Sequence, residues 1–189
     1  MLTTSNLTML FRELLQSAMA AQQVESSEVT EYYLVQLLEQ FARPSRANLL
    51  DPPLAVDYLE AATAPAPQRY EKLKRVADTA LFITGVFIDS LDRSLVGPDY
   101  YASLGRSAYA RLSAHAPRAA LAEPFGELAG RFQEFVRVLG EISAQEIFRR
   151  EQDTLRLYKR WLATRGQREA DLLVRRGLIP FAPPSSQRH

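Results

Sequence analysis

The chain has 189 residues, enough for one domain with a sizeable core, and its 47 % apolar and 24 % charged side chains are ordinary for a globular protein. A formal net charge of +1 gives no overall pull toward nucleic acid or an anionic membrane, and the absence of cysteine excludes disulfides, thiolate catalysis and cysteine-ligated zinc. The charge is unevenly spread, net −5 over residues 1–60, +2 over 61–126 and +4 over 127–189. Such a gradient either turns the molecule toward a charged partner or pairs its own ends.

The opening MLTTSNLTMLFRELL lacks a basic region leading into an apolar core, so no secretory signal is expected. The uncharged run from Thr79 to Ile88 is ten residues, about half of the ~20 a membrane span needs. Both point to a cytoplasmic protein. Strand signals are nearly missing, whereas helical periodicity runs through the chain.

Asn6 to Gln23 reads as the first helix, capped by Ser5, with Leu7, Leu10, Phe11, Leu14, Leu15 and Ala18 facing inward. Ser26 or Ser27 caps the second, which runs through Val29, Tyr33, Leu37 and Phe41 to Arg43, where Pro44 stops it. After a loop over residues 44–53, a short helix from Leu54 to Ala61 leads into the connector ATAPAP. The next segment, Pro67 to Leu91, is apolar on nearly every face in its middle. Tyr70, Leu73, Ala77, Ala80, Thr84, Phe87 and Leu91 form one stripe, which Val76, Leu81, Ile83 and Ile88 widen. A helix of that kind belongs at the centre of a bundle.

Pro98 suits the first turn of a further helix, Asp99 to about His115, with Tyr101, Leu104, Ala108 and Leu112 as its inward stripe. A break over Pro117 to Glu123 precedes a long helix carrying Phe125, Leu128, Phe132, Phe135, Leu139 and Ile142, bent at Gly140. Helical pattern resumes through Ile147, Leu155, Tyr158 and Leu162 to Gly166, and a last helix, Gln167 to Arg176, stops at Gly177. The expected fold is all-α: a single-domain helical bundle over residues 1–180, of about six or seven helices around a long buried central helix, with a mobile tail over 181–189.

Three constellations carry the candidate chemistry. Arg75, Asp78, Phe82, Gly85, Asp89 and Asp92 share one face of the central helix, so its three carboxylates are placed to hold a cation or meet a partner's arginines. The structural alternative is local pairing of Arg75 with Asp78 and of Arg93 with Asp89. Tyr100, Tyr101 and Tyr109, around Gly105, either line a seam for a planar ligand or belong to the core, Tyr100 being the one off the inward stripe. Arg149, Arg156 and Arg160 share a C-terminal face, and Arg168 and Arg175 another, either as an anion-binding helix-turn-helix or as a solvated surface.

The segments ADTALFITGVFIDSL (77–91), DYYASLGRSAY (99–109) and EYYLVQLLEQF (31–41) resemble a signature of uncharacterised hypothetical proteins of Proteobacteria. The resemblance implies no activity and no catalytic residues; it points at the same two helices as the periodicity.

The eight glycines form neither a phosphate loop nor a dinucleotide fingerprint, GRSAY is not a nucleophile elbow, and two histidines, His115 and His189, cannot supply a paired Glu-x-x-His metal site. No catalytic residue, metal or cofactor is therefore assigned. The function expected is a non-enzymatic interaction or regulatory module that binds another protein, including as a homodimer. A small-ligand-binding or cofactor-independent enzyme bundle is the alternative, and a DNA-binding regulator using the C-terminal arginines comes third.

Overall fold

The computed structural model describes residues 4–42, 53–87, 97–116, 119–143, 157, 160–161 and 166–175. Its contacts divide the chain into two compact units, Met1–Gln145 and Glu146–His189. The described residues form eight helices and no strand. No helix among them is long and apolar enough to cross a membrane.

The first unit opens with a hairpin of α1 (Thr4–Gln22) and α2 (Glu28–Ala42). Ser5 lies inside α1 rather than capping it. At the far end Gln23 adopts a left-handed φ of 54°, and the Val24 N–H reaches back to the Met19 carbonyl at 2.9 Å. Val24 is buried there, which closes the helix end with an apolar contact. Ser27 caps α2, its Oγ accepting the Thr30 N–H at 3.2 Å, and Glu28 and Glu31 complement the helix dipole. Val29 is 42 % exposed; Thr30, Leu34, Leu37, Leu38 and Phe41 carry the buried face.

A short α3 (Leu54–Glu60) buries Leu54 and Asp57 against α4 (Ala66–Val86), whose first turn contains Pro67. Every residue from Val76 to Phe87 is buried. The central helix ends at Val86 rather than running on to Leu91, with Phe87 as its cap at φ −118°.

Helix α5 (Pro98–Ala114) packs along α4. Its inner stripe is Ala102, Gly105, Ala108, Tyr109 and Leu112; Tyr101 and Leu104, expected on that stripe, are only half-buried. The shift follows from side-chain size, because small residues at 102, 105 and 108 let the helix axes approach. His115 caps the C-terminal end, its Nδ1 2.8 Å from the Arg111 carbonyl.

The expected break before Glu123 and the single long helix after it are both replaced by two shorter helices, α6 (Ala119–Gly130) and α7 (Phe132–Ser143). Pro124 sits inside α6, and Ser113 Oγ of α5 donates to the nearby Ala122 carbonyl at 3.1 Å. The chain turns at Arg131, whose guanidinium binds Glu127 at 3.0 Å, Glu134 at 2.6 Å and the Glu25 carbonyl of the α1–α2 turn at 2.5 Å. That anchor fixes the turn, so α6 packs on α5 and α2 while α7 packs on α4 and α1. Gly140 lies within an unbroken α7 and needs no bend: a side chain there would meet the Gly85 carbonyl at 3.5 Å. The expected stripe from Phe125 to Ile142 is buried throughout.

In the second unit, α8 (Gln167–Arg175) buries Leu173 but leaves Leu172 and Val174 exposed. Gly177, the 181–189 tail and residues 44–52 lie outside the described residues.

Two glycines set the helix spacing. A Cβ on Gly85 would lie 2.5 Å from Leu139 Cβ and 3.3 Å from the Val136 carbonyl; one on Gly105 would lie 2.7 Å from the Phe132 ring and 2.9 Å from Ala80 Cβ. Gly85→Ala must therefore push α4 and α7 apart, with an expected cost of about 1–3 kcal/mol. Gly130→Ala, where nothing lies within 4 Å, should be neutral or stabilise by up to about 1 kcal/mol. Chemical denaturation of both variants checks the contrast; equal stabilities would contradict the close α4–α7 approach.

Candidate functional site

The cleft of interest lies over the first half of α4. Tyr70, Glu71, Lys72, Lys74, Arg75, Asp78 and Thr79 come from that helix, Gln40 from the end of α2 and Asp57 from α3, and together they line about 590 Å³. The α4 residues occupy the helix face left over once Leu73, Val76, Ala77 and Ala80 point into the core.

Asp78 is 2 % exposed and stands among apolar neighbours. A carboxylate there must find donors, since an unpaired buried charge is prohibitively costly. Its Oδ1 accepts the Tyr33 hydroxyl at 2.5 Å and the Tyr109 hydroxyl at 2.8 Å, and its Oδ2 accepts Lys74 Nζ at 2.5 Å. The three donors come from α2, α5 and α4, so this one side chain ties three helices. Phe125 closes the aromatic wall, edge-on to Tyr33 at 5.4 Å and stacked on Tyr109 at 6.1 Å, and Lys74 lies 5.1 Å from the Tyr33 ring centre.

Burial first, and then the Asp78 charge, push the Tyr33 and Tyr109 hydroxyls well above the usual tyrosine range. Both are therefore neutral donors at physiological pH. Both Asp78 oxygens are engaged by protein donors, so the cluster ties α2, α4 and α5 together.

Asp57, 4 % exposed, makes a second ion cluster at the other wall. Its Oδ1 accepts Lys72 Nζ at 2.9 Å, its Oδ2 accepts Arg75, and Lys72 also reaches Glu60 at 2.7 Å. Hydrogen bonds to Glu60 and then Asp57 raise Lys72 above the ordinary lysine value. Among the described residues no group of His, Cys, Asp and Glu is arranged to hold a metal ion.

The acidic stripe expected on one helix face is thus divided. Phe82 and Gly85 belong to the core, Arg75 and Asp78 face the cleft, and Asp89, Asp92 and Arg93 lie outside the described residues. The expected Arg75–Asp78 pair is not the one formed: Arg75 crosses to Asp57, and Lys74, one turn before Asp78, takes its place. Tyr109 joins the site as a fully buried donor. Tyr100, 43 % exposed, and Tyr101 stand edge-on to each other at 5.4 Å and are not among the lining residues. Of the C-terminal arginines, Arg160 is largely exposed and pairs with Glu169 at 3.5 Å, and Arg168 is exposed. Arg149 and Arg156 lie outside the described residues, and the Arg175 side chain is likewise not described.

Tyr33, Lys72, Lys74 and Asp57 are functional candidates that periodicity alone passes over. Lys74 carries a signal, its i,i+4 spacing to Asp78. Asp57 carries none, because its partners lie 15 and 18 residues further along the chain.

Comparison with known protein families, curated proteins and solved structures finds no match to this chain.

The raised tyrosines fix the sign of the alkaline pH dependence. A group held protonated in the folded state contributes its stability below its unfolded value, here 10.0, and loses it as pH rises beyond. Each tyrosine should then cost about 1.4 kcal/mol per pH unit above that point. Urea denaturation between pH 8 and 12 should show this loss, and a Tyr33→Phe/Tyr109→Phe variant should be less stable at pH 8 but flatter above pH 10. An alkaline limb unchanged by the substitutions would contradict the assignment.

Proposed function

We propose that this chain is a non-catalytic binding module whose recognition site is the cleft over α4, and that its ligand is small and polar. The observation that carries the reading is the cleft itself. Its volume of about 590 Å³ falls in the range of small-molecule sites, and charged groups line it on two sides. Its walls are pre-organised, because the ion clusters at Asp57 and Asp78 hold Lys72, Lys74 and Arg75 in place before any ligand arrives. The three donors on Asp78 favour a structural role for that carboxylate over acid–base catalysis. A cytoplasmic setting is part of the proposal and suits a cysteine-free chain.

A second reading, in which another protein or a second copy of this chain is the partner, draws on α3. Val56 and Leu59 sit three residues apart on its outer side, 41 % and 71 % exposed, next to the buried Asp57. A regulatory role and the kinship with proteobacterial hypothetical proteins stand with this second reading.

The two separate by experiment. In an NMR screen of neutral, cationic and anionic small molecules, shifts should gather at Gln40, Tyr70 and Thr79. Glu71→Trp, which places bulk at the exposed edge of the cleft, should abolish them with little change in melting temperature. Shifts confined to Val56 and Leu59 on dilution of the protein itself, with none from any small molecule, would favour the second reading and end the first.

A further inference from the structure

The charge balance of the cleft, taken on the reading that it is a small-molecule site, narrows the class of ligand. Three cations, Lys72, Lys74 and Arg75, line it beside three carboxylates, Asp57, Glu71 and Asp78. Each cation is paired with a buried carboxylate: Lys72 and Arg75 with Asp57, and Lys74 with Asp78. An anionic ligand would face the carboxylates and a cationic one the ammonium and guanidinium groups. Either would have to break an ion pair to find a counter-charge of its own, which leaves a buried charge uncompensated. A ligand without net charge meets neither penalty.

Hydrogen-bonding capacity remains where net charge does not. Thr79 lines the cleft and is 2 % exposed, and its hydroxyl has no hydrogen-bond partner among the described residues. A hydroxyl so enclosed is satisfied only by what enters the cleft. Arg75, one turn before Thr79, ties this end of the cleft to Asp57. The Lys72 ammonium spends two of its three N–H groups, on Asp57 and Glu60, and Asp57 accepts from Lys72 and Arg75 with lone pairs to spare. Spare donors and spare acceptors therefore lie side by side within the ion pair. A hydroxyl both donates and accepts, so it bridges such a pair without disturbing it. Tyr70 adds a flat apolar wall, its half-buried ring backed by Phe125 at 6.2 Å.

We propose that the α4 cleft binds an uncharged sugar ring, its C–H face against Tyr70 and its hydroxyls bonded to Thr79 and to the Lys72–Asp57 pair. A sugar ring carries both kinds of surface that these walls call for, hydroxyls around its rim and an apolar face for an aromatic ring. The volume of about 590 Å³ accommodates one such ring together with bridging water. Loss of one hydrogen bond of this kind weakens binding by about tenfold.

The test is an NMR titration of the full chain with glucose, galactose, mannose and xylose, beside glucuronate and spermine as charged probes. At least one neutral sugar should shift Gln40, Tyr70 and Thr79 saturably, and both charged probes should bind more weakly than it does. Thr79→Val keeps the side-chain size and removes a hydroxyl without a partner among the described residues, so melting temperature should hold while sugar affinity falls about tenfold. Tyr70→Phe should retain the sugar and Tyr70→Ala should lose it. Should Thr79→Val fail to fold, Tyr70→Ala decides, because that ring is only half-buried. Sugar affinity unchanged in either Thr79→Val or Tyr70→Ala overturns the proposal. Glucuronate or spermine shifting the cleft more strongly than every neutral sugar overturns it too, but leaves the small-ligand reading standing. Silence from all four sugars also overturns it; the broader screen with Glu71→Trp then decides whether the cleft reading falls with it.

Discussion

Everything in the first unit is arranged around a carboxylate that has no business being dry. Asp78 lies in the buried middle of α4, between Ala77 and Thr79 and one turn before Phe82, all buried. Leaving it unpaired would outweigh the stability of an ordinary domain. The chain answers with donors from three helices, and that answer dictates which faces meet. Tyr33 has to arrive from α2 and Tyr109 from α5, while Lys74 comes from one turn earlier on α4 itself.

The close packing elsewhere makes that convergence reachable. Gly105 lets α5 approach Ala80 of α4 and Phe132 of α7, one turn before Tyr109 donates to Asp78. Gly85 does the same for α7 at Leu139. The turn at Arg131, held by two glutamates and the Glu25 carbonyl, lets α6 leave the line of α7 and bring Phe125 over both tyrosines. Water is kept from the carboxylate by aromatic rings, and its charge is balanced at the cleft side by Lys74. The cleft is thus the outer edge of the structural core, and Lys74 belongs to both.

Much of the fold was legible because helices announce themselves by period. The all-α class and the buried stripe from Phe125 to Ile142 follow from apolar spacing alone. The turn at Arg131 was not legible, because its cause is a contact with Glu25, 106 residues away. The rotation of α5 was missed for a different reason: three small residues look weakly apolar in a pattern, yet they define the face that packs closest. At the site, Asp78 and Tyr109 could be singled out from spacing and chemistry. Their connection could not, since it joins residues 31 apart on different helices. The local Arg75–Asp78 pair failed because Asp57 competes for the guanidinium across the cleft.

The central claim is that Tyr33 and Tyr109 share one acceptor oxygen and so act as a unit. A double-mutant cycle of Tyr33→Phe and Tyr109→Phe, read by urea denaturation at pH 7, tests it most directly. With one hydroxyl gone, the other still satisfies Oδ1; with both gone, Asp78 keeps only Lys74. The account predicts that the double variant loses more than the sum of the single losses, by roughly 0.5–3 kcal/mol. Losses that add to within about 0.3 kcal/mol would mean that the two tyrosines do not share the carboxylate.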